Sequence, residues 1–208
     1  MIKNTIARIK TKFLYKYFDQ SGKFKSGLID IYKKEFKMIK YKKIKILEIG
    51  VENGGSLLFW SDYFKHPGTR ITGIDIVLPR INFPNRVTVK TCNQNDSEGL
   101  TNIAEEFGPF DIILDDASHY TKETKKCFDI LFNYLSPEGL YIIEDWSIGY
   151  LRKKYYSGMV EFVTEIINKA PDLKIDYFKI SWDAGSTAIF RKKGLKEQKI
   201  PDFIKNME

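Results

Sequence analysis

The chain has little cysteine or histidine, with two of each in 208 residues. Cys92 and Cys127 cannot build a disulfide framework, and neither lies in a metal-type spacing. No apolar run approaches the roughly 18 residues of a membrane span. The N-terminal stretch MIKNTIARIK lacks the apolar core of a secretory signal. A cytoplasmic location with reduced thiols is therefore expected. Internal repeats are absent, and so are N-P-P-Y-type and cysteine-nucleophile motifs for chemistry on nucleic-acid bases. What is present is ample core material: 43% of the residues are hydrophobic and 14% aromatic, in a length that suits one domain.

The formal net charge of +7 is unevenly spread. Residues 1–43 hold 13 Lys/Arg and 3 Asp/Glu, whereas residues 44–190 hold 15 and 21. The segment 191–208 is again basic, with 6 against 3. A basic patch on a nucleic-acid-binding domain would be expected to lie on the domain itself. Here the positive charge lies at the two ends, so no specific nucleic-acid partner is expected. The ends suit peripheral contact with an anionic glycan or membrane surface. Three parts follow: a basic, aromatic-rich N-terminal segment (1–43), a central domain (44–192) and a basic tail (193–208). In the first part Lys12, Phe13, Tyr15, Lys16, Tyr17 and Phe18 interleave charge and aromatics, and a second copy of the chain could pack there.

Helical spacing of Leu28, Ile31, Tyr32, Phe36 and Ile39 predicts a helix over 28–39, after a loop from Gln20 to Gly27. From residue 45 short apolar runs alternate with helical stretches. Strands are expected at 45–49, 70–76, 86–90, 110–114, 140–143, 174–180 and 187–191. Helices are expected near 56–64, 100–107, 122–135 and 154–169. This alternation predicts an α/β fold, doubly wound around a mostly parallel seven-stranded sheet. The last two strands, with no helix between them, should form an antiparallel hairpin at the sheet edge.

The first strand runs into Glu48-Ile49-Gly50-Val51-Glu52-Asn53-Gly54-Gly55-Ser56. In an open α/β sheet ligands bind beyond the carboxyl ends of the strands, where this glycine-rich turn lies. Asp75 ends the second strand, where a carboxylate can accept hydrogen bonds from ribose hydroxyls. A dinucleotide turn wants glycine at its middle position. Glu52 stands there, and its carboxylate would repel a pyrophosphate. S-adenosylmethionine carries a sulfonium and an ammonium, which suit Glu48 and its acidic neighbours. After the third strand, Asn93 and Gln94 could read an adenine amino group, although Asn93 equally suits a turn.

The fourth strand ends in Asp115-Asp116-Ala117-Ser118-His119 and the fifth in Glu144-Asp145-Trp146. The strand-end rule brings these two acidic pairs together. Carboxylates so placed repel one another unless a cation or protons intervene, and oxygen donors suit Mg²⁺. His119 lies on the loop over the same crevice. His66 reads as a surface residue, and Trp60 and Trp146 as packing residues.

The stretches ILEIGVENGGSLLFWSDYF, ITGIDI, FDIILDDASHY and LSPEGLYIIEDW resemble class I S-adenosylmethionine-dependent methyltransferases. More narrowly they resemble the group of macrolide-sugar O-methyltransferases and cephalosporin hydroxylase-like proteins. The resemblance runs from about Asp19 to Arg191, and the D-D-x-S-H and E-D motifs are its most specific part. It implies a Rossmann-like fold with Glu48, Gly50, Gly54 and Ser56 at the methionine end of the cofactor, Asp75 at the ribose, and Asn93 and Gln94 near adenine. It further implies Asp116, Glu144 and Asp145 as Mg²⁺ ligands, His119 as general base, and Asp115 as a cofactor contact or brace. Asn93 departs from the acidic residue frequent at its position. Trp146-Ser147-Ile148-Gly149-Tyr150 departs from the polar run common after E-D, so acceptor contacts do not transfer. The implied reaction is Mg²⁺-dependent O-methylation of a hydroxyl on a sugar or glycosylated small molecule. The alternatives are a nucleotide-dependent oxidoreductase or hydroxylase-like protein, which Glu52 disfavours, and a non-catalytic module that binds through its basic N-terminal segment.

Overall fold

A computed structural model describes Lys23 and residues 26–152, 157–182 and 185–195. The interleaved stretch 12–18, the start of the helix expected at 154, and most of the basic tail lie outside the described residues.

In chain order the elements are α1 (Leu28–Glu35), β1 (Lys45–Ile49), α2 (Gly55–Tyr63), β2 (Arg70–Asp75), β3 (Val87–Thr91), α3 (Ser97–Phe107), β4 (Phe110–Asp115), α4 (Thr121–Leu131), β5 (Leu135–Glu144), α5 (Ile148–Leu151), α6 (Met159–Asn168), β6 (Ile175–Ile180) and β7 (Thr187–Lys192). A 3₁₀ turn, Phe132–Tyr134, joins α4 to β5. The seven strands form one sheet in the order β3-β2-β1-β4-β5-β7-β6. The first five pair in parallel, and β7 is antiparallel to both β5 and β6. The α/β sheet and its antiparallel C-terminal hairpin are as the sequence pattern predicts.

The sheet is covered on both faces, and strand alternation divides its side chains. On β1, Leu47 and Ile49 enter one core and Ile46 the other; on β5, Tyr141 and Ile143 oppose Ile142; on β7, Ala188 and Phe190 oppose Ile189. The first core takes Leu100 of α3, Phe128 of α4 and Phe162 of α6. The second takes Tyr32 and Phe36 from α1 and its end, with Trp60 and Phe64 from α2 and its end. Trp60 and Trp146 are both buried, as packing residues should be.

At eight residues, α1 is too short to persist alone. Packing holds it: the Tyr32 ring stacks on Phe36 at 5.4 Å and meets Trp60 edge-on at 5.4 Å. Burying a side chain of this size contributes about 1.5–3 kcal/mol. The helix therefore forms part of the sheet's covering layer.

Several boundaries differ from the sequence pattern: α1 stops at Glu35 rather than 39, and α4 stops at Leu131 rather than 135, where the 3₁₀ turn takes over. α3 begins at Ser97, because the Asp96 side chain accepts a hydrogen bond from Gly99 N at 2.9 Å and caps a polar first turn. β5 begins at Leu135, which pairs with Phe110 before a bulge; regular pairing resumes at Leu140 opposite Ile112. Among the described residues, no helix is long and apolar enough to cross a membrane.

Candidate functional site

The carboxyl ends of β1, β2, β4 and β5 open into a cavity of about 1060 Å³. Ile76, Val77 and Asn93 line one end, and His119, Asp145 and Gly185 line the other. A space this large is at the upper end for small-molecule sites.

The glycine-rich turn is tied down by its neighbours. Gly50 has φ +83°, and a Cβ there would lie 2.4 Å from Asp116 O and 2.5 Å from Ala117 Cα. Glycine thus lets the β1 turn touch the backbone of the β4 turn. Gly54, also left-handed, immediately precedes α2 and faces the Phe83 ring. One Asp75 oxygen accepts hydrogen bonds from Val51 N at 2.8 Å and Glu52 N at 2.9 Å; the other accepts from Val77 N at 3.2 Å. Asp75 therefore shapes the turn. A carboxylate has about four acceptor positions, so its use of three leaves capacity for a ribose hydroxyl.

Glu48 is fully buried. Its Oε2 accepts from Trp60 Nε1 at 3.0 Å, while Oε1 has no hydrogen-bond partner and lies 3.4 Å from the Lys23 ammonium. Burial raises its pKa, and the Lys23 charge opposes that rise. Ser56 is buried at the cavity wall. Asn93 is exposed, and its Oδ1 accepts from Asn95 N at 2.8 Å, which is the turn-forming role. Gln94 is buried and used at both ends: Nε2 donates to Asp115 Oδ1 at 3.0 Å and Oε1 accepts from Ser118 N at 3.1 Å. It braces the β4 turn from the neighbouring loop. Asp115 is itself buried, and burial, followed by repulsion from Asp116, pushes its carboxyl up to about 8.

Beyond β4 and β5, Asp116, His119 and Asp145 each bring one donor atom within 4.8 Å of the others. His119 Nε2 lies 3.9 Å from Asp116 Oδ1 and 3.7 Å from Asp145 Oδ2. His119 and Asp145 both have left-handed backbone, at φ +57° and +53°, and Glu52 across the cavity has φ +45°. Such conformations are uncommon outside glycine and gather at functional sites. Glu144, adjacent to Asp145 in sequence, is engaged elsewhere. Its Oε1 accepts from Lys23 Nζ at 2.6 Å and from the Tyr32 hydroxyl at 2.6 Å. Lys23 also donates to Asp116. Burial and the Asp116 charge push Glu144 up to about 8, against the pull of Lys23 and Tyr32.

Lys23 and Tyr32 are the site residues that the sequence pattern does not reveal. Tyr32 reads as one apolar position of an amphipathic helix, and Lys23 as one of many lysines in a loop. The ordinary drift of a buried lysine is downward, but here Asp116, Glu144 and Glu48 outweigh burial and hold it well above its usual range.

The strand order and the glycine-rich turn at the carboxyl end of β1 are those of the Rossmann-like, doubly wound α/β fold that the sequence pattern predicts. No family model matches the chain. Among curated proteins it is similar to mycinamicin VI 2''-O-methyltransferase of Micromonospora griseorubida, 34% identical over 142 residues, covering 65% of this chain and 35% of that protein. It is also similar to demethylmacrocin O-methyltransferase of Streptomyces fradiae, 36% identical over 126 residues, covering 57% of this chain and 31% of that protein. The chain thus spans about a third of the length of the curated relatives it matches. Among solved structures it is similar to the MycE methyltransferase of the mycinamycin biosynthetic pathway in complex with Mg, SAH and mycinamycin VI. That match has a TM-score of 0.68 at 28% identity, over 83% of this chain and 51% of the other. Sequence and fold together support the resemblance to class I S-adenosylmethionine-dependent O-methyltransferases.

Proposed function

We propose that this chain catalyses transfer of a methyl group from S-adenosylmethionine to a hydroxyl of a sugar or glycosylated small molecule, assisted by Mg²⁺. The observation that carries the reading is the convergence of His119 with Asp116 and Asp145 at one end of the cavity. Relatives named as sugar O-methyltransferases, and a similar structure holding Mg and SAH, support it.

A sugar hydroxyl is a weak acid, so its oxygen needs help to become a nucleophile near neutral pH. In this reading His119 Nε2 takes the hydroxyl proton. Asp116 Oδ1 and Asp145 Oδ2, at 3.9 and 3.7 Å from Nε2, would help to offset the imidazolium charge. Asp116 and Asp145 offer the half-buried, hard oxygen donors that fit Mg²⁺, and they face the same point as His119. When bound there, Mg²⁺ would supply positive charge that eases ionisation of the hydroxyl. The glycine turn and Asp75 hold the cofactor end of the cavity, so that donor and acceptor meet in a fixed orientation.

The test is methyl transfer from labelled S-adenosylmethionine to a panel of glycosylated small molecules. His119→Ala should lower turnover by about 10²–10⁴, the usual worth of a general base. S-adenosylhomocysteine affinity, read by calorimetry, should stay unchanged. Near-normal turnover in His119→Ala would overturn the base assignment, and turnover that survives a chelator would remove the metal. The oxidoreductase alternative finds no support among the relatives, which are named methyltransferases.

A further inference from the structure

Lys23 is only 5% exposed, and its ammonium sits among three carboxylates from three different strand ends. It donates to Asp116 and, at 2.6 Å, to Glu144, and lies 3.4 Å from Glu48. The Glu48 oxygen nearest to it is buried and accepts no hydrogen bond, so this oxygen's compensation is the ammonium charge itself. Tyr32 closes the remaining side by donating to Glu144. The ammonium therefore stands where the strand ends concentrate negative charge. One of its two hydrogen-bonded partners, Asp116, also belongs to the Asp116–His119–Asp145 cluster.

We infer that Lys23 is the resident cation of this carboxylate pocket, and that its ammonium withholds Glu144, and one oxygen of Asp116, from a divalent metal. A metal on the Asp116–Asp145 side then meets two carboxylates instead of three, beside a fixed positive charge. Lys23 is thus a positioning residue that weakens metal binding and directs it toward His119. The inference rests on the proposed function only in taking a divalent ion as the competitor.

The test uses MnCl₂ with the purified chain, free Mn²⁺ being read by electron paramagnetic resonance. Lys23→Met should bind Mn²⁺ at least about tenfold more tightly than the wild type, because the number of available carboxylates sets affinity at such sites. Its melting temperature should also rise more steeply with Mn²⁺. Removing one partner of a buried ion pair strains the fold, so Lys23→Met with Glu144→Gln serves as the second variant. It should fold without metal and show a smaller gain in affinity than Lys23→Met alone, because Asp116 is freed but Glu144 is no longer a carboxylate. Equal or weaker Mn²⁺ binding in Lys23→Met would overturn the inference. So would a Lys23→Met protein that stays unfolded in millimolar Mn²⁺ while the double variant folds, since a divalent ion could not then take the place of the ammonium. S-adenosylhomocysteine titration of the wild type separates the two readings: failure to bind would sink the proposed function and leave the Mn²⁺ comparison standing.

Discussion

Replacing Gly50 by alanine asks how tightly the cofactor turn is coupled to the acidic site. Two costs are expected. At φ +83° an alanine pays about 1–2 kcal/mol for left-handed backbone. The new Cβ would also lie 2.4 Å from Asp116 O and 2.5 Å from Ala117 Cα, a collision with backbone that no rotamer change relieves. Forced shifts of this kind cost about 1–3 kcal/mol. Gly54 supplies an internal control. Its φ of +76° carries the same left-handed cost, but the atom its Cβ would meet first is the tip of the half-buried Phe83 ring, which can swing. Gly50→Ala should therefore lose about 2–5 kcal/mol in chemical denaturation, and Gly54→Ala about 1–2. For a chain of this size the former corresponds to a melting shift on the order of 10 °C. Because the collision moves the segment carrying Asp116, Gly50→Ala should also weaken Mn²⁺ binding, whereas Gly54→Ala should not. If Gly50→Ala proved no more destabilising than Gly54→Ala, the argument from backbone contact would be wrong.

Asp75→Ala should leave Val51 N and Glu52 N without their acceptor and loosen the turn. S-adenosylhomocysteine affinity should fall by about tenfold or more, and unchanged affinity by calorimetry would contradict the role of Asp75. Cys92 and Cys127 are buried, and burial pushes both thiols upward, Cys127 especially. Cys127 should react with a thiol-specific disulfide reagent only as fast as the chain unfolds, and Cys92, which lines the cavity, should react faster. A rapid reaction of Cys127 in the native protein would show that this part of the core opens.

The sheet was legible because its signals are local. β1 is a run of buried residues bounded by charge on one side and glycine on the other, and its limits in the structure match the pattern. The start of β5 was not legible. Ser136-Pro137-Glu138-Gly139 reads as a turn, and only pairing of Leu135 with Phe110 across a bulge makes it part of a strand. At the site, the strand-end rule brings Asp116, Glu144 and Asp145 to one cavity, while Asp115 stays buried against Gln94. It cannot say how adjacent residues divide their partners. Glu144 meets Lys23 and Tyr32, whereas Asp145 turns through left-handed backbone toward His119. Lys23 lies 93 positions from Asp116 in the sequence, so no local pattern could assign it.

The insertion of β7 between β5 and β6 has a consequence for how the chain is made. Until residues 187–192 have left the ribosome, β5 has no partner on that side and β6 has nothing to join. A nascent chain that has already formed the five parallel strands would thus present the open edge of β5, with Tyr141, Ile142 and Ile143 along it, to any neighbour. Among the described strands, the last to be synthesised is the one that closes this edge.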